Sequence, residues 1–348
     1  MGLTMRAYRL GAWLAEPAFA EVKVPEPGPG EAVVRVAGCG LCHSDLAMPG
    51  ITADVARALG WHAPFTLGHE TSGHVAAVGR GVHGVAEGDA VAIVSPASCG
   101  SCRFCARGLD SVCPERPYGR GYGRDGGLAE YVLVDDIRAL VRLPPSLDPV
   151  TAGPLTDAGA TSYHAVRRVL PRVPEGGTAV VIGVGGLGGF AVQFLRLLTG
   201  ARVVAVDTDP DALARAGGLG AHETIPGGRG VARAVRALTG HGADAVLDFV
   251  GADATLRAGV GSVAPGGAFG LVGAAGGTYD RPWFGGLPKD AEIFTFQGSS
   301  VADLREVLSL AASGEVRNDT QLFPFEETTA AYAALRDGAL SGRAVVAL

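Results

Sequence analysis

A glycine-rich turn between an apolar strand and an apolar helix constrains the fold of this chain most strongly. Residues 178–182 have the composition of a fully buried strand, and residues 183–188 then read Gly-Val-Gly-Gly-Leu-Gly. A helical pattern with apolar residues on most faces follows over 186–198. A buried strand, a tight turn and a helix in this order predict the first unit of a parallel sheet that helices cover on both faces.

The same alternation continues after this turn. Apolar runs predict further strands at 202–206, 245–250 and 267–272, and periodic patterns predict helices at 211–217 and 231–238. We therefore predict an α/β domain, a Rossmann-type doubly wound parallel sheet, over residues 158–295.

The glycine turn matches a dinucleotide-binding fingerprint in its structural context. Gly183 allows the tight turn, Gly185 lets a pyrophosphate approach the backbone, and Gly188 lets helix and strand pack closely. The start of the helix supplies free N–H groups for the phosphates. The predicted cofactor-binding residues of the turn are Gly183, Gly185, Gly186, Leu187 and Gly188.

Asp207 ends the second predicted strand, about 20 residues after the fingerprint, where an acidic residue hydrogen-bonds the ribose hydroxyls. The alternative role for Asp207 is to cap the next helix, but Asp209 is available for that position. These features predict NAD(H) as the cofactor.

The first part of the chain, residues 1–157, has a β-rich pattern. Short apolar or alternating runs at 32–36, 74–78 and 90–94 predict strands, and no strong helical period precedes the region near Thr151. Beyond residue 296, the sequence predicts one helix at 303–312 and a final strand at 344–348. Because the segment 296–348 is too short to form a domain, we expect it to pack onto the first one.

Four cysteines with the spacing C-x2-C-x2-C-x7-C predict a closed tetrahedral zinc site, because one loop can wrap a single ion with four thiolates. Two disulfides are a weaker alternative, since the close pairs are poorly spaced for bridging. An iron–sulfur cluster is a second alternative, because a proline follows the last cysteine as in ferredoxins. The four residues are Cys99, Cys102, Cys105 and Cys113.

Two further motifs, the run Cys42-His43-Ser44-Asp45 and the pair His69-Glu70, complete the pattern. With them, the chain resembles the zinc-dependent medium-chain alcohol dehydrogenase family over nearly its whole length. The resemblance implies a GroES-like catalytic domain over 1–157, with a structural zinc lobe at 95–115, followed by the cofactor domain.

The resemblance also implies roles for individual residues. The family's catalytic zinc is bound by residues that match Cys42, His69 and Asp157, and the four-cysteine lobe holds a second, structural zinc. Ser44 would carry the alcohol proton away through its hydroxyl. The other implied site residues are His43 near the cofactor phosphates, Asp45 and Glu70 as residues that orient the ligands, with Glu70 able to reach the metal, and Arg343 at the pyrophosphate.

Several of these residues have a simpler interpretation. Cys39 is better explained as a small buried residue than as a ligand. Asp157 could instead cap the helix that begins near Ala158, and His164 could compete with it, although we expect His164 on a helix surface. Many family members place a histidine three residues after the hydroxyl residue, where this chain has Ala47.

The predicted function is reversible hydride transfer between NAD(H) and an alcohol, aldehyde or ketone. Apolar segments expected to line the pocket favour an apolar or aromatic substrate; they are Leu46-Ala47-Met48, Trp61 and Trp283-Phe284. A polyol or sugar-alcohol dehydrogenase of the same family is the alternative. The quinone-reductase branch usually lacks both zinc sites, and a non-catalytic protein of the same fold would have no need to keep Cys42, Ser44, His69 and Asp157.

Composition and charge limit the partners. The net charge of −6 argues against nucleic acid, and no apolar run approaches the roughly 18 residues of a membrane span. The N-terminal residues lack the pattern of a signal peptide, so we expect the cytoplasm, where thiols stay reduced. The resemblance implies a homotetramer or homodimer joined through the cofactor domains, with the strand at 267–272 near an edge.

Overall fold

The computed structural model describes residues 2–116 and 118–348, which form two compact units. The first unit comprises the chain up to Ala160 together with Gly298–Gly314 and Asn318–Leu348. The second comprises Thr161–Gln297 and Glu315–Arg317. The N-terminal segment in which we expect no signal peptide begins at Met1, and Met1 lies outside the described residues.

The described residues form 16 strands. In chain order they are β1 (Thr4–Leu10), β2 (Ala18–Lys23), β3 (Ala32–Gly40), β4 (Phe65–Thr66), β5 (Glu70–Val78), β6 (Ala90–Ile93), β7 (Tyr131–Val134), β8 (Leu140–Arg142), β9 (Thr178–Ile182), β10 (Arg202–Asp207), β11 (Glu223–Pro226), β12 (Ala243–Asp248), β13 (Val263–Leu271), β14 (Glu292–Thr295), β15 (Thr320–Pro324) and β16 (Arg343–Ala347).

The described residues also form ten α-helices, joined by short 3-10 turns. The helices are α1 (His43–Ala47), α2 (Ala53–Leu59), α3 (Ala158–Val169), α4 (Gly188–Leu198), α5 (Pro210–Gly218), α6 (Val231–Thr239), α7 (Asp253–Ser262), α8 (Trp283–Gly286), α9 (Val301–Ala312) and α10 (Thr328–Arg336).

The second unit is built on a six-stranded parallel sheet with the order β11-β10-β9-β12-β13-β14. The strand that enters the sheet first, β9, lies near its centre, and later strands are added on both sides. This is the strand order of a dinucleotide-binding doubly wound sheet. All five side chains of β9 are buried, as its continuous apolar run predicts.

The first unit contains a three-stranded sheet, β2-β1-β4, and a seven-stranded sheet. In the larger sheet, the order is β15-β16-β3-β5-β6-β8, and β7 pairs with β3. The C-terminal strand β16 lies antiparallel to β3, with Val346 opposite Cys39. The last segment of the chain thereby completes the sheet that carries the metal-site residues.

The region before Thr151, where the sequence shows no strong helical period, contains two short helices. The helices α1 and α2 lie in that region, with five and seven residues. A helix this short does not span enough turns to show a clear period in the sequence. The predicted tail of one helix and one strand was also incomplete, because β15 and α10 lie there as well.

Among the described residues, no helix is long and apolar enough to cross a membrane.

Candidate active site

Four side chains that are distant in the sequence converge in the first unit. One ligand atom from each of Cys42, His69, Glu70 and Asp157 lies within 4.8 Å of the others. Cys42 is the N-cap residue of α1, His69 and Glu70 lie at the start of β5, and Asp157 immediately precedes α3. A thiol, an imidazole and carboxylates in one partly closed place form a donor set that suits zinc.

Asp45 orients the imidazole of His69 within this cluster. One of its carboxylate oxygens lies 3.1 Å from His69 Nδ1, which leaves Nε2 directed toward the other ligand atoms. Its other oxygen accepts hydrogen bonds from the backbone N–H of Cys42 at 3.0 Å and from the Tyr332 hydroxyl at 3.2 Å. Asp45 therefore fixes two of the candidate ligands at once, as a carboxylate behind a metal-binding histidine does.

The neighbours of His69 set its pKa in the metal-free protein. Burial alone would lower it, but Tyr122, Asp45 and Asp157 outweigh this effect and hold the pKa of His69 well above its usual range. A metal at Nε2 has to displace a proton, so metal binding at this site is coupled to proton release.

Glu70 and Arg343 form a buried ion pair behind the cluster. The Arg343 guanidinium donates to Oε1 of Glu70, and the two residues are 6% and 0% exposed, respectively. Oε2 of Glu70 has no hydrogen-bond partner among the described residues. Burial raises the pKa of Glu70 although Arg343 opposes the shift. Arg343, expected at a pyrophosphate, thus contacts Glu70 in this structure.

Sequence reasoning missed Tyr122, which lies at the centre of the site. Its hydroxyl is 2.8 Å from Ser44 Oγ and 3.3 Å from His69 Nε2, and its ring is 4.9 Å from the imidazole. The sequence signal that could have indicated it is an aromatic residue placed directly between two glycines, Gly121 and Gly123.

An apolar cluster surrounds these polar groups. Met48 is buried in the hydrophobic core of the first unit, and Leu46, Trp61 and Tyr122 pack against that core. The Trp61 and Tyr122 rings lie 5.5 Å apart. Ala47 is exposed.

Cys39 and His164 are not among the residues of the ligand cluster. The prediction that Cys39 is a small buried residue is confirmed, since it is 0% exposed and burial raises the pKa of its thiol to about 12. The expectation that His164 lies on a helix surface is wrong. α3 is buried on most faces, and the His164 ring packs 4.9 Å from Phe296.

The four-cysteine lobe has the geometry of a one-metal site. Its Sγ–Sγ distances are 3.5 Å for Cys102–Cys105 and 3.9 Å for both Cys99–Cys105 and Cys102–Cys113. A tetrahedron with Zn–S bonds of about 2.3 Å has edges of about 3.8 Å, so one zinc ion fits between these sulfurs. The distances are too long for disulfides, and all four cysteines are free.

Backbone N–H groups point at the sulfurs and favour the thiolate form of the lobe. The N–H of Cys102 donates to Cys99 Sγ at 3.3 Å, and that of Cys99 donates to Cys113 Sγ at 3.3 Å. Hydrogen bonds from Ser101 and Cys102 lower the pKa of Cys99 to about 6, whereas burial raises that of Cys105 to about 12. Such N–H donors stabilise the negative charge that four thiolates bring to a metal.

In the second unit, the glycine turn lies between β9 and α4. Gly183 has a φ of +80°, and a Cβ on Gly188 would lie 1.9 Å from the carbonyl oxygen of Gly183. Gly185 and Gly186 are exposed, and nothing lies within 4 Å of the Cβ position of Gly185. The carbonyl of Leu187 accepts a hydrogen bond from Ser162 at 2.8 Å. The backbone of Gly185 and Gly186 is therefore exposed, with no side chain between it and a ligand.

Asp207 lies directly beside this turn. Its Oδ2 accepts the N–H of Val184 at 2.8 Å, and its Oδ1 accepts the N–H of Asp209 at 3.0 Å. Asp209 caps α5 through Asp211, so Asp207 is not needed as the cap. Each carboxylate oxygen of Asp207 keeps a lone pair for a further donor.

Two family models match this chain, one in each half of the sequence. Residues 28–145 match the family model described as "Alcohol dehydrogenase GroES-like domain", and residues 186–313 match "Zinc-binding dehydrogenase". The chain is 33% identical over 338 residues to an NAD-dependent alcohol dehydrogenase from Sulfolobus acidocaldarius, covering 94% of each chain. The chain belongs to the zinc-dependent medium-chain alcohol dehydrogenase family.

Other members of this alcohol dehydrogenase family show the same relationship. The crystal structure of the Aeropyrum pernix alcohol dehydrogenase superposes with a TM-score of 0.92 at 31% identity, covering 99% of this chain and 100% of that one. A D-arabinose 1-dehydrogenase (NADP(+)) from Saccharolobus solfataricus is 31% identical, covering 94% of this chain and 93% of that protein. The predicted family and fold class, a GroES-like domain with a Rossmann-type domain, are therefore confirmed.

Proposed function

We propose that the chain is a zinc-dependent alcohol dehydrogenase that interconverts alcohols with aldehydes or ketones, using NAD(H). The observation that carries the proposal is the convergence of Cys42, His69 and Asp157, which Tyr122 connects to the Ser44 hydroxyl by contacting both His69 and Ser44. Three protein ligands of these types leave one coordination position for a substrate oxygen. When bound there, zinc acts as a Lewis acid on that oxygen, lowering an alcohol's pKa or polarising a carbonyl.

The surrounding residues each have a part in this chemistry. Ser44 relays the hydroxyl proton of the alcohol: its oxygen accepts that proton while its own hydrogen passes to water, and the relay runs in the opposite direction when a carbonyl is reduced. Asp45 keeps His69 in the tautomer that leaves Nε2 free for metal, and the Glu70–Arg343 pair lies behind the ligands. Leu46 and Trp61 make the surroundings apolar and keep water away from the polar groups.

The cofactor is assigned to the second unit. The exposed backbone of Gly185 and Gly186 at the start of α4 suits a pyrophosphate, and Asp207 suits the adenosine ribose. His43 is exposed at the start of α1, and we assign it to the cofactor phosphates. Arg343 is assigned to the same phosphates. Its guanidinium would then donate both to the cofactor and to Glu70. The second zinc belongs to the four-cysteine lobe.

For the substrate, we propose a primary or secondary alcohol, or its aldehyde or ketone, with an apolar or aromatic substituent. The apolar side chains near Ser44 support this choice. A polyol or sugar alcohol is the second candidate, because D-arabinose, the sugar named for one relative, is likewise a substrate with several hydroxyl groups. We place the enzyme in the cytoplasm, which suits its six free cysteines.

The test is Asp157→Ala. This variant should lose turnover across a panel of alcohols and ketones, followed by NADH absorbance, because one of three catalytic-zinc ligands is gone. Zinc content should fall from about two ions per chain to about one, since the lobe keeps its four thiolates. NADH binding, measured by fluorescence, should persist.

Asp54→Ala is the matched control, because Asp54 is an exposed aspartate of the same unit that contacts only Arg57 in the described pairs. It should keep full turnover and both zinc ions. Wild-type turnover in Asp157→Ala would show that the metal ligand lies elsewhere.

A further inference from the structure

We propose that Tyr122 is the positioning residue for Ser44. Its hydroxyl holds the serine hydroxyl in the one orientation that can exchange a proton with the substrate oxygen. The proposal rests on the proposed function, since it assigns Ser44 to that exchange. Tyr122 lies outside all the motifs that identify the family in this sequence.

The first argument is the hydrogen-bond geometry. The Ser44 and Tyr122 hydroxyl oxygens are 2.8 Å apart, the ordinary distance for an O–H···O hydrogen bond. A serine hydroxyl has one donor and can rotate freely, so it needs a fixed partner to present a lone pair in a defined direction. When the Tyr122 hydroxyl donates this hydrogen bond, one lone pair of Ser44 remains to accept the proton of an alcohol, and the hydrogen of Ser44 remains free to pass to water.

The second argument is the lack of another partner on α1. The position three residues after Ser44, which carries a histidine in many family members, is Ala47 here, and its side chain is exposed and apolar. Within the described part of the chain, the hydrogen bond recorded for Ser44 Oγ is the one to Tyr122. A tyrosine from a remote segment thus supplies a polar group that the helix itself lacks.

The third argument is that the chain holds Tyr122 rigidly. Gly121 and Gly123 on either side have φ angles of +76° and +74°, and a Cβ on Gly123 would lie 2.6 Å from Trp61. The two glycines therefore allow a backbone path that brings the Tyr122 ring between Trp61 and His69.

An arginine cluster anchors the same segment on both sides of Tyr122. The carboxylate of Asp135 binds Arg116 at 2.8 Å and Arg120 at 3.2 Å, and it also binds Arg124. Arg120 is buried and donates to the carbonyl of Leu133 as well. This degree of fixation is expected of a residue that has to orient another side chain within a few tenths of an ångström.

The contact between Tyr122 and His69 does not compete with this role. Nε2 of His69 is the nitrogen proposed to bind the metal, so in the zinc-loaded enzyme it has no lone pair for Tyr122. The hydrogen bond to Ser44 involves no metal ligand atom and can persist.

A double-mutant cycle tests the proposal on the zinc-loaded enzyme. Tyr122→Phe keeps the ring and removes the hydroxyl; we expect kcat to fall about tenfold with little change in KM, a coupling typical of contacting residues. In a Ser44→Ala background, the same change should alter kcat less than about twofold, because the hydroxyl that Tyr122 orients is absent.

A second background keeps the test decisive if Ser44→Ala is too slow to measure. Threonine has a restricted χ1, so in Ser44→Thr the position of the hydroxyl oxygen depends less on Tyr122. Tyr122→Phe should then cost less than about threefold in kcat. Tyr118→Phe is the matched control: this tyrosine of the same segment packs against His62 and should leave kcat unchanged.

Two further measurements separate positioning from a structural role. Zinc content and melting temperature should be the same in Tyr122→Phe and the wild type. Additive effects in the cycle, an unchanged kcat, or loss of zinc in Tyr122→Phe would each overturn the proposal. A wild-type enzyme with both zinc ions bound and no turnover of any alcohol or carbonyl would instead refute the proposed function itself, and the role of Tyr122 with it.

Discussion

At the scale of single residues, Asp207 places a carboxylate at the end of β10, where we propose that it selects the cofactor. It is already fixed by the N–H groups of Val184 and Asp209, so its direction is set before any ligand arrives. A ribose with two free hydroxyls can donate to it. A 2′-phosphate would instead bring like charge to the same place.

We therefore predict a preference for NAD over NADP. The ratio of kcat/KM values should exceed about tenfold, which needs about 1.4 kcal/mol of differential transition-state stabilisation. Asp207→Ser should narrow the gap mainly by improving NADP. Steady-state kinetics with both cofactors measures the ratio.

Asp209→Ser is the control for this prediction, because serine can still cap α5 while Asp207 stays in place. It should keep the preference for NAD. Equal or better kcat/KM with NADP in the wild type would contradict the role given to Asp207.

At the scale of elements, the four-cysteine lobe lacks regular structure other than two 3-10 turns, Cys105–Arg107 and Asp110–Val112. A loop of this kind contributes little hydrophobic burial, so a bound metal has to define its shape. Its sulfur spacing fits one zinc ion with no open position.

Cys102→Ser should therefore remove one zinc ion per chain and lower the melting temperature, since three thiolates bind the ion more weakly than four. Metal analysis and calorimetry measure both effects. Cys39→Ala, which changes a cysteine outside both clusters, should keep both ions. If Cys102→Ser kept its zinc and its melting temperature, the structural role of the lobe would be refuted.

The turn before β6 gives a prediction about pH. The carboxylate of Asp89 accepts the N–H of Ala86 at 2.7 Å, as expected for an aspartate that stabilises a turn, and it also pairs with Arg142. The hydrogen bond to Ala86 and the Arg142 charge lower the pKa of Asp89. A lowered pKa means that the folded state favours the ionised form, so this stabilisation is complete above the unfolded-state pKa and is lost as pH falls through the folded-state pKa.

Asp89→Asn should consequently destabilise the protein at neutral pH and flatten the acid side of its stability–pH curve, as measured by urea unfolding from neutral to acidic pH. Because the backbone hydrogen bond is the larger cause of the shift, Arg142→Met should keep most of that slope. If Arg142→Met lost the acid slope of the stability–pH curve and Asp89→Asn kept it, the assignment of that slope to Asp89 and its hydrogen bond with Ala86 would be wrong.

At the scale of the whole molecule, the second unit has a sheet edge suited to another copy of the chain. β14 is the last strand of its sheet, next to β13, and Ile293 on it is 39% exposed. An edge strand presents unpaired backbone groups that can pair with a second strand. Trp283 and Phe284 of the same unit, expected to line the substrate pocket, are 77% and 82% exposed.

We predict a homodimer or homotetramer that uses this edge, observed by sedimentation. Ile293→Lys should shift the protein toward smaller species, because a charge then lies beside the side chains of the partner strand on the same face of the sheet. Leu322→Lys on β15, an exposed leucine on an edge strand of the other unit, is the control and should leave the assembly unchanged. A wild-type monomer, or dissociation by Leu322→Lys alone, would contradict the assignment.

Features whose residues lie close together along the chain were predictable without the structure. The four cysteines, the glycine turn and the run from Cys42 to Asp45 each fit within one loop or one helix start. Spacing therefore indicated a metal site and a dinucleotide turn, and the family resemblance added the roles of Cys42 to Asp45. The central strands of the parallel sheet were equally predictable, because a strand buried on both faces has a continuous apolar run.

The contacts between residues that are distant in the sequence became visible only in the folded chain. The approach of Asp157 to Cys42 and His69, the Glu70–Arg343 pair and the Ser44–Tyr122 contact depend on sheet register and loop geometry, which leave no periodic signal. The burial of His164 follows from neighbours on both sides of α3, which its own sequence does not specify. Local chemistry is encoded by spacing, whereas the partners of each group are set by packing across the whole chain.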